Sequence, residues 1–482
     1  MRGREVLWAG RFELEMSDGS PRPEPKRPAR YYGAVLAQLS HGPVVIGLAA
    51  AAVLIGAGVV VHVATRPHKL QAIQPHNAIQ ADRPQQPSSS GLPACASSTA
   101  TGCDRSKLHP GTRGSSACQG NGPGTITASP IALSDLAYIQ PMGLMIGGHV
   151  TPIDHGYFYI KGAVAHPPQQ AAVYAPMDGI VSSVTRTIRL SAPAAKPDHT
   201  ASASFDDYAI TIEATCTFRV RFSNMVRFAG TLGDKVGQLA GNESKTPNYT
   251  VKAGELIGYT GLPTANGIDV WVENDDITLT GFIDPAQYTA AEVWKTHMAD
   301  LFDYTEEPLK SQLLGLDERD ASPRWGKIDY DIDGRLVGNW FRVGTGGYGG
   351  NQIGKGGDYW AGHLSVVYDG NDPRQVVISF GDYRGQPQQF AVVGNTPDPA
   401  SVDQASGLIK CELGQIQHYA AGTGKPWDAQ QYLPHVTTRA GPTVGTILMQ
   451  LTGQRQLKME IFAGKTASQV IGFDANAELF ER

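Results

Sequence analysis

Short runs in which hydrophobic and polar residues alternate dominate the chain from about residue 129 onward. In the first part of this region they occupy residues 172–184 (AVYAPMDGIVSSV), 208–214 (YAITIEA), 216–222 (CTFRVRF) and 268–274 (IDVWVEN). A period of two places successive side chains on opposite faces of an extended chain, so each run predicts a half-buried β-strand. Gly179 and Gly258 interrupt the runs where tight turns need a positive φ. The pattern predicts an antiparallel β domain over residues 129–290.

A second set of strand-like runs fills residues 322–482. The runs are KIDYDIDGRLVGNWF, HLSVVYD, QVVISFGDY, FAVVGN, GLIKCEL, VGTILMQL and LKMEIFA. Gly, Pro, Asn and Asp separate them, as they separate the short strands of closed barrels and sandwiches. The sequence therefore predicts a mainly β protein with a C-terminal β barrel or sandwich.

A helical connector is predicted between the two β domains, over residues 291–321. Asp284 and Pro285 suit the cap and the first turn of a helix. In the run that follows, Trp294, Met298 and Leu301 recur at helical spacing on one side. The spacing predicts an amphipathic helix that covers part of a neighbouring sheet.

A stretch without charge covers residues 42–61 (GPVVIGLAAAAVLIGAGVVV) and predicts a single transmembrane helix over residues 42–63. Its twenty residues, at about 1.5 Å each, span roughly 30 Å of hydrocarbon. A cleaved signal peptide is the alternative, but its apolar region runs about 7–15 residues and lies close to the start of the chain. Lys26, Arg27 and Arg30 precede the helix and favour a cytoplasmic tail over residues 1–41. We therefore expect a single-pass protein of the cell membrane with both β domains extracytoplasmic; whether translation starts at Met1 or Met16 stays open.

Residues 64–128 are rich in Pro, Gln, Ser and Gly and predict a disordered extracytoplasmic linker, because they have too little apolar surface to offset chain entropy. The chain holds five cysteines, Cys95, Cys103, Cys118, Cys216 and Cys411. Disulfides are their expected use outside the cytoplasm. An odd number leaves one over, and spacing alone does not decide the pairing.

Composition excludes some classes of function. With 482 residues the chain has room for about three domains. Its 40 Lys and Arg against 45 Asp and Glu leave a net charge of −5, which disfavours nucleic acid as a partner. The 56 Gly and 32 Pro residues disfavour a helical bundle.

Two segments carry a family resemblance. Residues 175–184 (APMDGIVSSV) and 251–274 (VKAGELIGYTGLPTANGIDVWVEN) resemble the core of the lysostaphin-like (LytM-type) zinc metallopeptidases. That family has a duplicated-hybrid-motif fold, with an Ala-Pro-x-x-Gly-x-Val strand and a Gly-x-x-Ile-Gly strand before its catalytic edge. The resemblance covers roughly residues 138–290. It implies a lysostaphin-like β domain, with residues 147–160 (GGHVTPIDHGYFYI) in the place of the family's first metal segment.

The metal-binding residues of the family are not matched here. If His155 takes the first ligand position, Tyr159 replaces the aspartate that the family has four residues later. If His149 takes that position, the nearest acidic residue, Asp154, lies five residues later instead of four. The family's His-x-His-x-Glu signature falls on residues 269–273, where Asp269 and Trp271 replace the two histidines and Glu273 remains. The other catalytic histidine, expected around residues 217–223, is replaced by TFRVRFS. The departures predict a non-catalytic member without a cofactor.

A rearranged site is the alternative. Carboxylates and imidazoles both bind zinc, so His149, Asp154, His155 and Asp269 are candidate ligands of a two-histidine or two-carboxylate site. The chain would then be an active zinc metalloendopeptidase acting on cell-wall peptides.

Four residues are candidates for ligand binding: Tyr157, Tyr159, Trp271 and Glu273. Aromatic side chains in this segment can stack on a glycan or a peptide, and packing in a core is their alternative role. The resemblance implies peptidoglycan or an envelope protein as the partner, so we expect a protein that binds or regulates at the cell envelope. A carrier domain with a modified lysine is disfavoured, because neither Lys235 nor Lys458 lies at a hairpin between matching half-motifs. A structural or adhesion role of the C-terminal domain is a further alternative.

Overall fold

The structure is a computed structural model that describes residues 113–162, 170–190, 204–262, 265, 267–350, 359–427 and 434–482. The predicted cytoplasmic tail, the predicted transmembrane helix and most of the predicted linker, with Cys95 and Cys103, lie outside these residues. Within them, no helix combines the length and the apolar character that a membrane crossing requires.

The N-terminal part is a ten-stranded sheet in which all paired strands are antiparallel. Its strands are β1 (Leu136–Gln140), β2 (Gly156–Ile160), β3 (Ala171–Tyr174), β4 (Gly179–Leu190), β5 (Ser204–Glu213), β6 (Phe218–Phe228), β7 (Ser244–Lys245), β8 (Tyr249–Val251), β9 (Leu256–Thr260) and β10 (Gly267–Asn274). The main path has the order β1-β2-β10-β6-β5-β4-β7, while β8 pairs with β4 and β9 pairs with β3 and β6. The predicted antiparallel strands are confirmed.

One face of this sheet is apolar and fully buried. Phe158 of β2, Val270 and Val272 of β10, and Val220 and Phe222 of β6 are all at most 1% exposed. Register pairs Val270 with Phe222 and Val272 with Val220, so these side chains pack side by side. Burying each contributes roughly 1.5–3 kcal/mol, which pins the register and turns the alternate residues to the opposite face.

The predicted amphipathic helix of the connector is wrong. The chain forms only the short helix α2 (Pro285–Thr289), two 3-10 turns (Lys295–His297 and Leu301–Tyr304) and α3 (Leu309–Leu314). Main-chain groups that a helix would bond internally bond to the sheet region instead: Thr296 O accepts from Leu279 N at 2.8 Å, and Ala299 N donates to Val272 O at 2.9 Å. Tertiary bonding therefore overrides the local helical pattern. A further helix of the described residues, α1 (Gly230–Val236), follows β6.

The C-terminal part is a closed barrel of eight strands that follow one another in chain order. They are β11 (Gly338–Arg342), β12 (His363–Tyr368), β13 (Val376–Tyr383), β14 (Gln386–Val392), β15 (Ile409–Ala420), β16 (Val436–Gly453), β17 (Gln456–Ala463) and β18 (Glu478–Glu481). Short 3-10 turns cover Gly347–Gly349, Tyr359–Gly362, Val393–Asn395, Gln404–Ser406 and Ala467–Gln469. Of the two predicted architectures, the barrel is correct. The first predicted run is a strand only in its last part, and the last strand, β18, was not predicted.

The sheet and the barrel are joined through the connector. The outer edge of β1 bonds to it, with Ile139 N donating to Leu316 O at 2.8 Å and Glu318 N donating to Ile139 O at 2.9 Å. The start of β16 bonds to the other side of the same segment, where Val436 N donates to Glu318 O at 2.7 Å. Main-chain hydrogen bonds therefore run without a break from β2 through β1 and the connector into the barrel.

Candidate functional site

The face of the sheet opposite the apolar one is polar and aromatic. Cross-strand register places Asp269 beside Tyr157 and Ser223, Trp271 beside Arg221, and Glu273 beside Arg219. We call this surface the polar face. All four predicted ligand-binding residues and one predicted metal ligand, Asp269, lie on it, because their strand positions alternate with the buried Phe158, Val270 and Val272.

Asp154, which precedes β2, is the centre of a buried hydrogen-bond cluster. Its Oδ1 accepts from His155 Nδ1 at 2.9 Å and from Trp271 Nε1 at 3.1 Å, and its Oδ2 accepts from Trp294 Nε1 at 2.6 Å. Burial opposes ionisation, but nearby Lys295 and the His155 hydrogen bond outweigh it and hold the Asp154 pKa well below its ordinary value. Asp154 is therefore an ionised carboxylate with both oxygens in use.

Lys295 connects this cluster to the barrel. Its side chain is only 4% exposed, and its Nζ lies 3.8 Å from Asp154 Oδ2 and 3.1 Å from Glu292 Oε2. It also donates to Tyr348 OH at 3.0 Å, and that hydroxyl donates to Glu292 Oε2 at 2.7 Å. Burial opposes the charge on Lys295, but the two carboxylates outweigh burial and raise its pKa. One buried cation thus neutralises carboxylates from two segments.

The two histidines lie together beside this cluster. The rings of His149 and His155 are 5.6 Å apart, and the His155 ring is 4.2 Å from that of Trp271. Burial, followed by the neighbouring His155, holds the pKa of His149 well below its ordinary value, so His149 is neutral near pH 7. The guanidinium of Arg221 lies 4.3 Å from the rings of both Trp271 and Trp294. An arginine between two indoles stabilises the packing of this corner.

Asp269 and Glu273 have partners of their own. Ser223 Oγ donates to Asp269 Oδ2 at 2.7 Å, and Asn224 Nδ2 donates to Asp269 Oδ1 at 2.6 Å. Glu273 lies 2.6 Å from the guanidinium of Arg113 and is 2% exposed. Burial opposes its ionisation, but Arg113 and two further arginines outweigh burial and lower its pKa. These contacts hold the strands and the N-terminal segment together.

A disulfide and ion pairs tie that N-terminal segment to the polar face. Cys118 is bonded to Cys216, and Ser115 Oγ donates to Glu213 Oε2 at 2.6 Å. Together with Arg113, these contacts cover the Glu273 end of the face. Of the cysteines in the described ranges, Cys411 is free and buried.

The predicted zinc ligands do not form a zinc-binding arrangement in this structure. Among the described residues, no three His, Cys, Asp or Glu side chains are grouped so that they could hold a metal ion. His149, Asp154 and His155 lie close together, but the Asp154 oxygens accept from two indoles and an imidazole. Asp269 instead accepts from Ser223 and Asn224. Zinc would have to displace these donors.

Aromatic rings form a continuous row along the polar face. The row begins at Trp271, and each distance that follows joins a ring centroid to that of the ring before it. The rings are, in order, His155 (4.2 Å), Tyr157 (5.2 Å), Tyr159 (5.8 Å), Tyr138 (4.6 Å) and Trp427 (5.7 Å). We call it the aromatic row. It starts on β10, crosses β2 and β1, and ends on the segment that follows β15 of the barrel. Trp271, Tyr157, Tyr159 and Trp427 are half-buried.

A buried carboxyl lies beside the barrel end of the row. Glu318 Oε2 accepts from Gln140 Nε2 at 2.8 Å and from Asn371 Nδ2 at 3.0 Å. Glu318 Oε1 and Asn371 Oδ1 have no hydrogen-bond partner among the described residues, although both atoms are buried. Burial raises the pKa of Glu318 to about 8. This carboxyl is therefore mostly protonated near pH 7.

The sequence did not identify several of these residues. Tyr138 and Gln140 lie two residues apart on β1, a short strand whose first four residues are all buried, so no alternating pattern in the sequence indicates it. Glu318 was placed in a helical connector, and Trp427 and Asn371 lie in loops of the barrel without a local motif. Only the pairing of the connector with both β1 and β16 brings these residues together.

Comparison with known proteins leaves the family unassigned. No protein-family model and no curated protein matches the chain. Among solved structures, the chain is similar to a chain of the SpoIIQ–SpoIIIAH pore-forming complex, with 9% sequence identity and a TM-score of 0.20. The match covers 39% of this chain and 95% of that chain. A likeness of this size carries no argument about fold or function.

Proposed function

We propose that the polar face is a binding surface and that the chain is a membrane-anchored, extracytoplasmic protein that binds or regulates at the cell envelope without catalysing hydrolysis. One observation carries the proposal: the carboxylate of Asp154 accepts hydrogen bonds from Trp271 and Trp294, side chains that cannot ligate a metal. The membrane anchor and the envelope partner come from the sequence pattern and the family resemblance, which motivate the experiment below.

The binding role follows from what remains accessible. The charged groups of the polar face are paired with one another, whereas Tyr157, Tyr159 and Trp271 are only half-buried residues. Half-buried aromatic residues next to polar groups are typical of ligand-binding surfaces.

The test combines metal content with envelope binding. The full chain is purified in mild detergent without a metal-affinity tag, incubated with zinc, dialysed and measured by mass spectrometry for metal, and then sedimented with purified peptidoglycan sacculi. We expect far less than one zinc per chain, together with co-sedimentation. About one zinc per chain that is lost in His155→Ala would overturn the non-catalytic assignment and favour the zinc peptidase. Absence from the sacculus pellet would contradict the envelope assignment.

A further inference from the structure

We propose that the side chains of Lys295 and Asp154 join in an amide bond, with Glu292 as the group that transfers the protons. The bond is a modification that the chain makes on itself. It goes beyond the proposed binding function, since it concerns how the polar face is held together and not what the face binds.

The three groups form a cluster that solvent hardly reaches. Asp154, Glu292 and Lys295 are 5%, 4% and 4% exposed. Lys295 Nζ lies 3.1 Å from Glu292 Oε2 and 3.8 Å from Asp154 Oδ2. The other lysines that form ion pairs among the described residues have side chains 38–74% exposed. Lys295 is therefore set apart by its burial, and a desolvated amine held beside a carboxyl is a nucleophile next to an acyl group.

The contacts of Asp154 suit an acyl group under attack. Its Oδ1 accepts from His155 Nδ1 at 2.9 Å and from Trp271 Nε1 at 3.1 Å. Negative charge collects on this oxygen when a nucleophile adds to Cγ, and two fixed donors stabilise that charge as an oxyanion hole does. Oδ2 lies 3.8 Å from Lys295 Nζ and accepts from Trp294 Nε1 at 2.6 Å. We therefore assign Oδ2 as the oxygen that leaves.

Glu292 is placed to accept a proton from the amine and to return it. Its Oε2 is 3.1 Å from Lys295 Nζ and accepts from Tyr348 OH at 2.7 Å. Burial raises the pKa of Glu292 against the opposing charge of Lys295, and the charge of Asp154 raises it further. A carboxyl with a raised pKa holds a transferred proton more readily than an exposed one. Glu292 is thus the general acid and base of the cluster.

The charges of the ion pair oppose the reaction, whereas burial favours it. Burial is the largest influence on the pKa of Asp154 and on that of Lys295, and it favours their neutral, reactive forms. The neighbouring charges outweigh burial, so the neutral pair is a minor state. Each chain needs to reach that state only once. The amide carries no charge that burial penalises, and its hydrolysis requires water in a closed site.

The step needs no reagent from outside the chain. Glu292 takes one proton from the Lys295 ammonium, and the free amine adds to Asp154 Cγ and forms the C–N bond. The double bond from Cγ to Oδ1 then reforms as the bond from Cγ to Oδ2 breaks. Oδ2 leaves as water with two protons, one returned by Glu292 and one from the nitrogen. One amide and one water molecule result, and no group is oxidised or reduced.

The amide fastens the segment before β2 to the connector. It closes a covalent loop that contains β2 to β10, because Asp154 precedes the first of these strands and Lys295 follows the last. A cross-link of this kind restricts the unfolded chain in the way that a disulfide does, and reductant does not break it. The corner of the polar face around Asp154 is then held covalently.

Mass spectrometry of the full chain, denatured and with its disulfide reduced, tests the proposal. We expect a mass lower than that of the sequence by one water molecule. Trypsin should yield residues 114–161 joined to residues 253–310, without cleavage after Lys295. Lys295→Arg keeps a cation but lacks the amine, so this variant should have the full mass of its own sequence. Lys252 and Asp178 are the internal control, because they lie 2.7 Å apart but are exposed, and trypsin should cleave after Lys252.

A second variant tests the role of Glu292. In Glu292→Gln the fraction of chains that carry the bond should fall by about tenfold or more, because the proton-transferring carboxylate is lost. An unchanged fraction would overturn this role.

Three results would overturn the bond between Lys295 and Asp154. The first is the full sequence mass in the wild type with cleavage after Lys295, which leaves only an ion pair. The second is a loss of water confined to residues 253–310, which assigns the bond to Glu292 instead. The third is a loss of water that persists in Lys295→Arg. The wild-type peptide map identifies both joined residues, so the assignment does not depend on whether a variant folds.

Discussion

At the scale of single residues, the polar face is held by charges that are buried and paired. Asp154, Glu292 and Lys295 come from two segments, and each is 5% exposed or less. A buried ion pair contributes little compared with a well-packed apolar substitute, but removing one partner leaves the others without compensation. The geometry of Trp271, which donates to Asp154, depends on this balance.

Replacing Lys295 with methionine should therefore destabilise the protein strongly. The substitution leaves Asp154 and Glu292 buried without their cation, and breaking such a pair costs about 3–5 kcal/mol. Urea unfolding followed by fluorescence measures the change. Lys252→Met is the control, because Lys252 forms an ion pair with Asp178 on the surface and its side chain is 74% exposed. If Lys295→Met lowered the free energy of unfolding as little as Lys252→Met does, the protein would not depend on Lys295 to neutralise the buried carboxylates.

At the scale of elements, alternation in the sequence predicted strands well and the helical pattern failed. The prediction of the strands succeeds because their apolar residues face one buried layer. The prediction of a helix in the connector fails because main-chain carbonyl and amide groups there, such as Thr296 O and Ala299 N, form hydrogen bonds with other segments. The segment before β1 has neither pattern, and it is ordered by Arg113, Ser115 and the disulfide of Cys118.

Loss of that disulfide should loosen the N-terminal segment and lower stability. Cys118 and Cys216 are 98 residues apart, so the bond removes many conformations from the unfolded chain. We expect the paired Cys118→Ala, Cys216→Ala variant to lose about 2–5 kcal/mol. Urea unfolding with and without reductant measures this loss. The Cys411→Ala variant keeps the disulfide and should still be destabilised by reductant, whereas the paired variant should not respond; an equal response of both would refute this assignment.

At the scale of the whole molecule, the sheet and the barrel share one hydrogen-bonded junction. Glu318 is its centre, because its main chain bonds to β1 and β16 and its side chain bonds to Gln140 and Asn371. The hydrophobic core is shared as well, since Phe341 and Tyr348 from the barrel side pack in the same cluster as Trp294. The aromatic row depends on this junction for its last ring.

Stability should fall as pH rises, in part through Glu318. Its pKa is about 8 in the folded protein against an ordinary value of 4.5, so the folded state holds a proton that the unfolded chain releases. The contribution of Glu318 to the free energy of unfolding is fully present below about pH 4.5. It declines as the pH rises to about 8, by at most about 1.4 kcal/mol per pH unit. In the Glu318→Gln variant, the part of the pH dependence of stability that comes from Glu318 should vanish. The part that comes from Asp317 should remain, because burial also raises the pKa of Asp317 to about 8. Urea unfolding at pH 5, 6, 7 and 8 measures the slope, with exposed Glu306→Gln as control; an unchanged slope in Glu318→Gln would rule out a protonated Glu318.

The sequence by itself determined the mainly β character, the antiparallel strands of the first domain and most strands of the second. It also brought His149, Asp154 and His155 into one short segment and placed Asp269, Trp271 and Glu273 on one face of a strand. These features depend on a period of two or on adjacency in the chain, which local steric and hydrophobic rules control.

Only the tertiary structure decided what those side chains do. The indole of Trp294, 140 residues from Asp154, takes one carboxylate oxygen, and Lys295 neutralises the charge. Trp427 reaches Tyr138, and Asn371 reaches Glu318, because main-chain bonds join β1, the connector and β16. Contacts between residues so far apart depend on how whole elements pack and on which buried groups must be paired, and neither requirement leaves a local pattern in the sequence.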